Sequence, residues 1–345
     1  MTPADTSPAR VLIPFAFTSD FDEVLRRDGL SLPHLNALLP HLAQRHWLEG
    51  DELTPSLPHE RLWLHDLYNP SSPLPASMPL AALHASQQGL DAAASGWAFI
   101  HLCHWQVTPD RIVMGDPAHL QLDEASARAM FRVLQPWFAQ DGIALHWDTP
   151  TRWLACSPLL ADLATASLER VIQRDVRPWL PAVQAAPILQ RLQTECQMLL
   201  YNLPENDART AHGLPPVNAF WVSGSGALPA DWNAAPAPRL PRWKNLDDLR
   251  HTALHGDWYG WKTAWEHLDA TVLADLRQRH ESGEPITLGL AGERHAVLLE
   301  TAPAAADGLW SRWQGHWQTL RQRLSGARTR NNAHDTPATR LLLRL

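Results

Sequence analysis

Apolar residues along this chain fall into short continuous runs, separated by stretches with the three- and four-residue spacing of a helix. The first run, Val11 to Phe17, is apolar throughout with one proline at its centre, and it predicts a buried strand. Helical spacing follows through residues 21–25 and again through 35–42. The chain is therefore expected to begin as a strand followed by helices.

The middle of the chain alternates between the two patterns. Strands are predicted over Trp97–Cys103, Arg111–Met114, Ile143–Trp147, Thr151–Cys156 and Val217–Val222, with the first two paired around a Thr-Pro-Asp turn. Helices are predicted over Leu122–Ala139, with Asp123 as N-cap, and over Pro187–Tyr201. The last of these strands is expected to run into a loop, Ser223-Gly-Ser-Gly226.

The C-terminal third continues the alternation. Helices are predicted over Leu246–Leu254, Trp258–Gln278 and Leu309–Leu324, and strands over Ile286–Leu290 and His295–Leu299. Such alternation of helices and strands favours an α/β fold with a sheet flanked by helices.

Two proline-rich segments, Tyr68–Pro79 and Ala234–Pro241, interrupt these patterns and are interpreted as linkers. They predict that residues 1–79 and 235–345 form one core, with residues 80–234 inserted as an α+β domain. The strand at Val11–Phe17 should then pair with Ile286–Leu290.

Charge and cysteine content narrow the classes of function. The 29 Lys and Arg against 36 Asp and Glu give a net charge of −7, and the cations are not clustered, so nucleic acid is not expected as a partner. No apolar run reaches the length of a membrane span, and the first ten residues lack the apolar stretch of a signal peptide. Three widely spaced cysteines are typical of a reducing compartment, so a cytoplasmic location is predicted.

The segment His101-Leu-Cys-His104 has the residue types of a metal site. On a strand, however, His101 and Cys103 share one face and His104 lies on the other. No metal is therefore predicted there, and no cofactor elsewhere.

The predicted loop Ser223-Gly-Ser-Gly226 is the main candidate for ligand binding. Glycines after a strand allow backbone N–H groups to approach an anion, and serines add hydroxyl donors. Arg209 and Asn218 lie just upstream and could orient an acidic ligand. The predicted ligand-binding residues are Arg209, Asn218, Ser223, Gly224, Ser225 and Gly226. The same pattern also fits a tight structural turn whose backbone is braced by the Arg and Asn side chains.

Tryptophan is unusually frequent, with 17 residues. Several recur at helical spacing toward the C-terminus: Trp243, Trp258, Trp261, Trp265, Trp310, Trp313 and Trp317. This spacing favours packing between helices, while an exposed set would favour a protein interface.

Two neighbouring segments, Leu199–Arg209 and Gly213–Gly226, carry a recognisable pattern. They resemble archaeal-type cofactor-independent phosphoglycerate mutases, with Leu203 in place of a histidine. Two flanking segments are similar to enzymes of the alkaline phosphatase superfamily: Leu32–Leu38, and the helix with Lys262, Glu266 and Asp269. The resemblance implies an alkaline-phosphatase-like sheet core flanked by helices.

A second resemblance covers most of the chain. Asp116–Leu120, Ala166–Ile172 and Gln197–Leu200 are similar to a proteobacterial family of RpfE-type regulatory proteins. That resemblance implies a regulatory association and does not identify a reaction.

The superfamily's catalysis uses two metal ions held by Asp and His, with a Ser or Thr nucleophile. The positions that resemble those ligand sites carry Phe15-Ala-Phe17 and Ala291-Gly-Glu293 instead. The sequence therefore predicts a metal-free, non-catalytic relative with a regulatory or ligand-binding role, taking a small phosphorylated acid or a protein partner.

Two alternatives stay open. One is a metal-dependent mutase or phosphatase whose ligands have moved to His101, His104, Asp116 or His119. The other is a structural partner in a complex that binds through the Trp-rich C-terminal helices.

Overall fold

The computed structural model describes residues 9–65, 77–93, 95–181, 186–229, 243–302 and 335–345. Within these ranges the strands are β1 Ala9–Ile13, β2 Leu42–Leu48, β3 Trp97–Cys103, β4 Trp105–Val107, β5 Ile112–Met114, β6 Ala144–Thr149, β7 Arg152–Cys156, β8 Ala219–Gly226, β9 Lys244–Asn245, β10 Ile286–Ala291 and β11 Ala296–Thr301.

The helices are α1 Asp22–Asp28, α2 Pro33–Leu38, α3 Pro58–Leu64, α4 Leu80–Gln87, α5 Glu124–Gln140, α6 Leu168–Val171, α7 Ala186–Tyr201, α8 Pro204–Ala211, α9 Arg250–Leu254, α10 Trp258–Leu268, α11 Ala274–Glu281 and α12 Pro337–Leu342. A π-helical turn, Asp269–Leu273, joins α10 to α11. No helix in the part of the chain that the structure describes is long and apolar enough to cross a membrane.

The chain divides into two compact units. Unit 1 combines Met1–Asp51 with Pro241–Leu345, and unit 2 is Glu52–Leu240. The sequence placed the corresponding borders at residues 79 and 235, and the helix α3 falls in unit 2.

Unit 1 contains a five-stranded mixed sheet in the order β2-β11-β10-β1-β9. The expected pairing of the first strand is present: β1 runs parallel to β10, with Val11 opposite Leu288. The strand β1 also runs parallel to β9, whereas β11 is antiparallel to both β10 and β2. The α/β class predicted from the sequence, with a mixed sheet and helices, is confirmed.

Helix α10 packs its tryptophans into the core of unit 1. Trp261 and Trp265 are fully buried, and their indole Nε1 atoms donate to the carbonyl oxygens of Phe15, at 2.9 Å, and Ala16, at 3.2 Å. Both residues are therefore part of the core, where they bond to the segment that follows β1. Trp310, Trp313 and Trp317, together with the predicted helix Leu309–Leu324, lie outside the described residues.

The π-helical turn that follows α10 has a specific role. It contains Asp269, which is 1% exposed and accepts hydrogen bonds from the backbone N–H groups of His34, at 3.0 Å, and Leu35, at 2.8 Å. These are N–H groups of the first turn of α2 that have no partner within the helix. A residue from the C-terminal third of the chain therefore caps α2.

Unit 2 contains a four-stranded antiparallel sheet in the order β6-β7-β3-β8. The fully buried strand β3 carries side chains to two cores. Ala98, Ile100 and Leu102 pack against α5 and α7 on one face, and Trp97 and Phe99 pack near α4 on the other. The sheet is thus covered by helices on both faces.

One sequence prediction about strand pairing is wrong, and one strand was missed. The strand β5 pairs with β4 in a separate hairpin and does not pair with β3, because β3 is already flanked by β7 and β8. Residues 42–48 form the edge strand β2, which the sequence patterns did not reveal. In contrast, α5 begins after Asp123 as predicted, and the Asp123 carboxylate accepts a hydrogen bond from the N–H of Ser126.

Candidate functional site

The segment Ser223–Gly226 is the end of the strand β8 and is not a loop. Every residue of β8 is buried, and the strand pairs with β3 as far as Gly226, which lies opposite Trp97. The register shifts between Trp97 and Phe99. This corrects the prediction from the sequence, which placed these four residues in a loop after the strand.

The glycines are explained by a close approach of α4 to β8. A Cβ atom on Gly224 would lie 3.0 Å from a ring carbon of Phe99 and 3.2 Å from the Cβ of Leu80, and one on Gly226 would lie 3.0 Å from the Cβ of Pro79. Gly224 has a φ of +59° and Gly226 a φ of +143°, which residues with a side chain rarely adopt. Both glycines therefore serve packing within unit 2.

Ser223 faces an imidazole. Its hydroxyl lies 2.8 Å from Nε2 of His101, and both side chains are buried. Burial, reinforced by the charge of Arg152, lowers the pKa of His101 to about 3. The imidazole is therefore neutral at physiological pH, and a base with so low a pKa is poorly matched to proton abstraction near pH 7.

Ser225 is bound within the same unit. Its hydroxyl donates to the carbonyl oxygen of Leu163 and lies 2.7 Å from the hydroxyl of Thr165. The carbonyl oxygen of Ser225 accepts a hydrogen bond of 3.2 Å from Ser77. These contacts fix the strand end against residues 163–165.

Arg209 and Asn218 brace backbone. The guanidinium of Arg209 is buried and donates to the carbonyl oxygens of Leu120 and Pro215, with 3.1 Å between Nε and the Pro215 oxygen. Burial lowers the pKa of this guanidinium. Asn218 accepts from the N–H of Trp105 at 2.7 Å and donates to its carbonyl oxygen at 2.9 Å.

We call these five bracing side chains the β8 network: His101, Arg209, Asn218, Ser223 and Ser225. The structure brings all of its members into one unit but engages each with a protein partner. Ligand binding by Arg209, Asn218 and residues 223–226 stays a prediction, and it would require these internal bonds to be exchanged.

Three of the residues suggested as relocated metal ligands bond to other protein groups, and the fourth, His119, offers a ring nitrogen within 4.8 Å of a carboxylate oxygen of Asp116. His101 faces Ser223, and Nδ1 of His104 lies 2.8 Å from the carbonyl oxygen of Pro216. Asp116 accepts a hydrogen bond of 2.9 Å from the N–H of Ala118 and caps the 3-10 turn that follows.

A second polar group ties α4 to the hairpin of β6 and β7. The carboxylate of Asp148 lies 3.1 Å from Nε2 of His84 and accepts hydrogen bonds from Gln88, at 2.9 Å, and Arg152, at 2.7 Å. Burial opposes ionisation of Asp148, but the hydrogen bonds from His84 and Arg152 outweigh it and lower its pKa. The carboxylate is fully engaged in holding these elements together.

A third group was not found from the sequence. His59 and Glu60 on α3 and Glu169 on α6 each point one ligand atom to a common place, and these atoms lie within 4.8 Å of one another. We call these three residues the α3–α6 cluster. Burial and the charge of Glu169 raise the pKa of Glu60 to about 7, although hydrogen bonds from Ser167 and the N–H of Leu57 act in the opposite direction.

Comparison with known proteins gives a distant structural likeness. No family model and no curated protein matches the chain. Among solved structures, the cofactor-independent phosphoglycerate mutase from Thermoplasma acidophilum DSM 1728 is 14% identical with a TM-score of 0.33, over 88% of this chain and 92% of that one. The PH0037 protein from Pyrococcus horikoshii is 13% identical with a TM-score of 0.41, over 87% and 89%. These values carry no argument about function, and the resemblance to RpfE-type proteins stays a prediction.

Proposed function

We propose that this chain is a non-catalytic relative of the cofactor-independent phosphoglycerate mutases with a regulatory or ligand-binding role. It works without the two catalytic metal ions of their superfamily. The observation that carries the proposal is the state of the β8 network, because the residues that looked most suited to chemistry are used to hold backbone and neighbouring side chains.

The protonation states of nearby groups support the same conclusion. His101 is kept neutral with a pKa of about 3. Burial raises the pKa of the Cys103 thiol strongly and that of Cys196 to about 12. Because the thiolate is the reactive form of cysteine, neither thiol is suited to act as a nucleophile.

Packing at residues 15–17 and 291–293, the positions that resemble the superfamily's ligand sites, also supports a non-catalytic role. Ala16 is fully buried, and its N–H donates to the carbonyl oxygen of Ala291 at 2.8 Å. A Cβ atom on Gly292 would lie 2.6 Å from backbone and side-chain atoms of Leu345. The carboxylate of Glu293 accepts hydrogen bonds from the N–H of Ser19, at 3.1 Å, and from its hydroxyl, at 2.6 Å. Close packing and these bonds favour a structural use. Ser71 and Ser72, two serines near the place along the sequence where the resemblance would put a nucleophile, lie outside the described residues.

A phosphorylated three-carbon acid is the proposed class of small ligand, and a protein partner is proposed for the regulatory role. Trp261 and Trp265 are core residues in unit 1, so an interface built on the described tryptophans of α10 has less support than either. A cytoplasmic location stays a prediction.

The proposal is tested by assaying purified, tag-free protein. Interconversion of 2- and 3-phosphoglycerate and hydrolysis of p-nitrophenyl phosphate are measured with Mn²⁺, Mg²⁺ or Zn²⁺ and with chelator. We expect no turnover above that of the His101→Gln variant, together with a saturable thermal shift in the presence of a phosphoglycerate. Turnover that chelation abolishes and metal restores would favour the relocated-ligand enzyme instead.

A further inference from the structure

We propose that the α3–α6 cluster, His59, Glu60 and Glu169, is a binding site for one divalent transition-metal ion that clips α3 to α6. Such an ion is distinct from the catalytic metals discussed above, and the proposal departs from the expectation of a metal-free chain. It adds to the non-catalytic function proposed above and does not depend on it.

The donor set has the chemistry of a metal site. One imidazole nitrogen and two carboxylate oxygens come together with their ligand atoms within 4.8 Å of one another. In a tetrahedral zinc site, bonds of about 2.0–2.2 Å place ligand atoms about 3.3–3.6 Å apart, so modest side-chain rotation would complete the site. A mixed nitrogen and oxygen set suits Zn²⁺ or Mn²⁺ better than Mg²⁺, which prefers oxygen ligands and water.

The position of the cluster is fixed by the chain around it. Glu60 closes the first turn of α3 by accepting a 2.8 Å hydrogen bond from the N–H of Leu57. The same oxygen, Oε2, accepts from the hydroxyl of Ser167, which also contacts the carbonyl oxygen of Pro55 at 3.3 Å. Both bonds to Glu60 use the same oxygen, Oε2. Outer hydrogen bonds that orient a ligand in this way are typical of metal sites.

The segment that carries Ser167 and Glu169 is itself anchored to the sheet of unit 2. The carbonyl oxygen of Ala166 accepts a 3.0 Å hydrogen bond from the indole of Trp221 on β8, and Thr165 bonds to Ser225. The N–H of Ser167 donates to the carbonyl oxygen of Pro55 at 3.0 Å. The two halves of the site, more than 100 residues apart in sequence, are therefore held together before any ion binds.

A bound cation would also reduce the repulsion between the carboxylates of Glu60 and Glu169. Two carboxylates at this separation repel each other, and a positive ion between them removes that repulsion. The charge of Arg170 offsets part of this repulsion by lowering the pKa of Glu60, but burial and the charge of Glu169 outweigh it. A shared proton would relieve the repulsion between the carboxylates but would not explain the convergence of the imidazole.

The test uses the full chain with no affinity tag, because 18 histidines make weak adventitious zinc binding common. Chelated and dialysed protein is titrated with ZnCl₂, and separately with MnCl₂, by calorimetry. We expect one equivalent to bind saturably in the wild type. Glu169→Gln and His59→Asn should weaken that binding at least tenfold, and Ser167→Ala should weaken it about 10- to 100-fold by freeing Glu60.

Matched controls are Glu23→Gln on α1 and His212→Asn after α8, which alter exposed residues of the same types. Both should bind zinc as the wild type does. Equal zinc affinity in the wild type and in Glu169→Gln, or no saturable binding at all, would overturn the site. Circular dichroism of each variant confirms that it is folded.

Phosphoglycerate turnover is measured in the same samples, so the two proposals fail separately. Zinc binding without turnover supports both. Absence of zinc binding and of turnover overturns the site alone. Turnover that rises with zinc and is lost in Glu169→Gln supports the site but overturns the non-catalytic function.

Discussion

The β8 network and the α3–α6 cluster both lie in unit 2 and both contain a histidine. They differ in the groups that surround their polar side chains: the network meets neutral groups, whereas the cluster brings two carboxylates together. In the network, a neutral imidazole meets a hydroxyl at His101 and Ser223, and the charge of Arg209 is spread over backbone carbonyls. In the cluster, the carboxylates of Glu60 and Glu169 converge with an imidazole. A polar group is therefore a better candidate for metal binding when several possible ligand atoms converge in space than when its residue types merely match a motif.

Arg209→Ala should have the largest effect and tests the structural side of the comparison. The change leaves the carbonyl oxygens of Leu120 and Pro215 buried without their donor. Because hydrogen bonds to a charged group are worth about 1.5–3 kcal/mol each, the free energy of unfolding should fall by ~3–4 kcal/mol in urea titrations.

The control is Arg191→Ala, which removes an exposed ion pair with Asp141 and should cost less than about 1 kcal/mol. If Arg209→Ala keeps wild-type stability but no longer binds a phosphoglycerate, then Arg209 is a ligand-binding residue as the sequence first suggested.

Gly224→Ala should have the next largest effect. The methyl group would meet Phe99 at 3.0 Å and Leu80 at 3.2 Å, at a φ of +59°. Strain in the left-handed region and overpacking together predict a loss of ~2–3 kcal/mol in the free energy of unfolding. Gly115→Ala is the control, because its nearest contact would be 3.5 Å from the carbonyl oxygen of His104. Comparable stability of the two variants would show that α4 can move away from β8.

His101→Gln should change how stability depends on pH. The pKa of His101 falls from 6.5 to about 3 on folding. Between these two pH values His101 is therefore protonated in the unfolded chain and neutral in the folded chain. The wild type therefore loses stability through His101 as pH falls from 6.5 toward 3, by ~2 kcal/mol at pH 5. Glutamine can still bond to Ser223 and does not titrate, so the variant should lose that much less between pH 7.5 and pH 5. Parallel losses in both proteins would mean that His101 is protonated while folded.

Glu169→Gln should have the smallest effect, and it tests the charged α3–α6 cluster. In metal-free protein at pH 8 it removes one of two like charges, so the free energy of unfolding should rise by up to ~1 kcal/mol. With zinc present the wild type should be the more stable protein, since the variant binds the ion less well. Glu23→Gln should leave stability unchanged in both conditions. A loss of stability in the metal-free variant would show that Glu169 makes a net favourable contact without an ion.

Local chemistry made part of this fold predictable. The helix α5 and its N-cap Asp123 depend on neighbouring residues, as does the strand β3, whose seven residues are all buried. The prediction of a loop at 223–226 was wrong because glycine occurs both in turns and where two backbones approach closely. Only the position of α4 against β8 distinguishes these two cases. The α3–α6 cluster could not be found at all, because 107 residues separate Glu60 from Ser167 and no local pattern links them.

The strand order of unit 1 sets the sequence of events when the chain is made. The strand β1 lies between β10 and β9, and β2 pairs with β11, so among the described residues neither N-terminal strand has a neighbour before residue 244 has been synthesised. Unit 2 is continuous in sequence, from Glu52 to Leu240, and its strands find their partners within that span. Since domains generally fold as units during synthesis and long-range pairing is slow, unit 2 should form first. The strands β1 and β2 can pair with β9, β10 and β11 only after the last third of the chain has been synthesised.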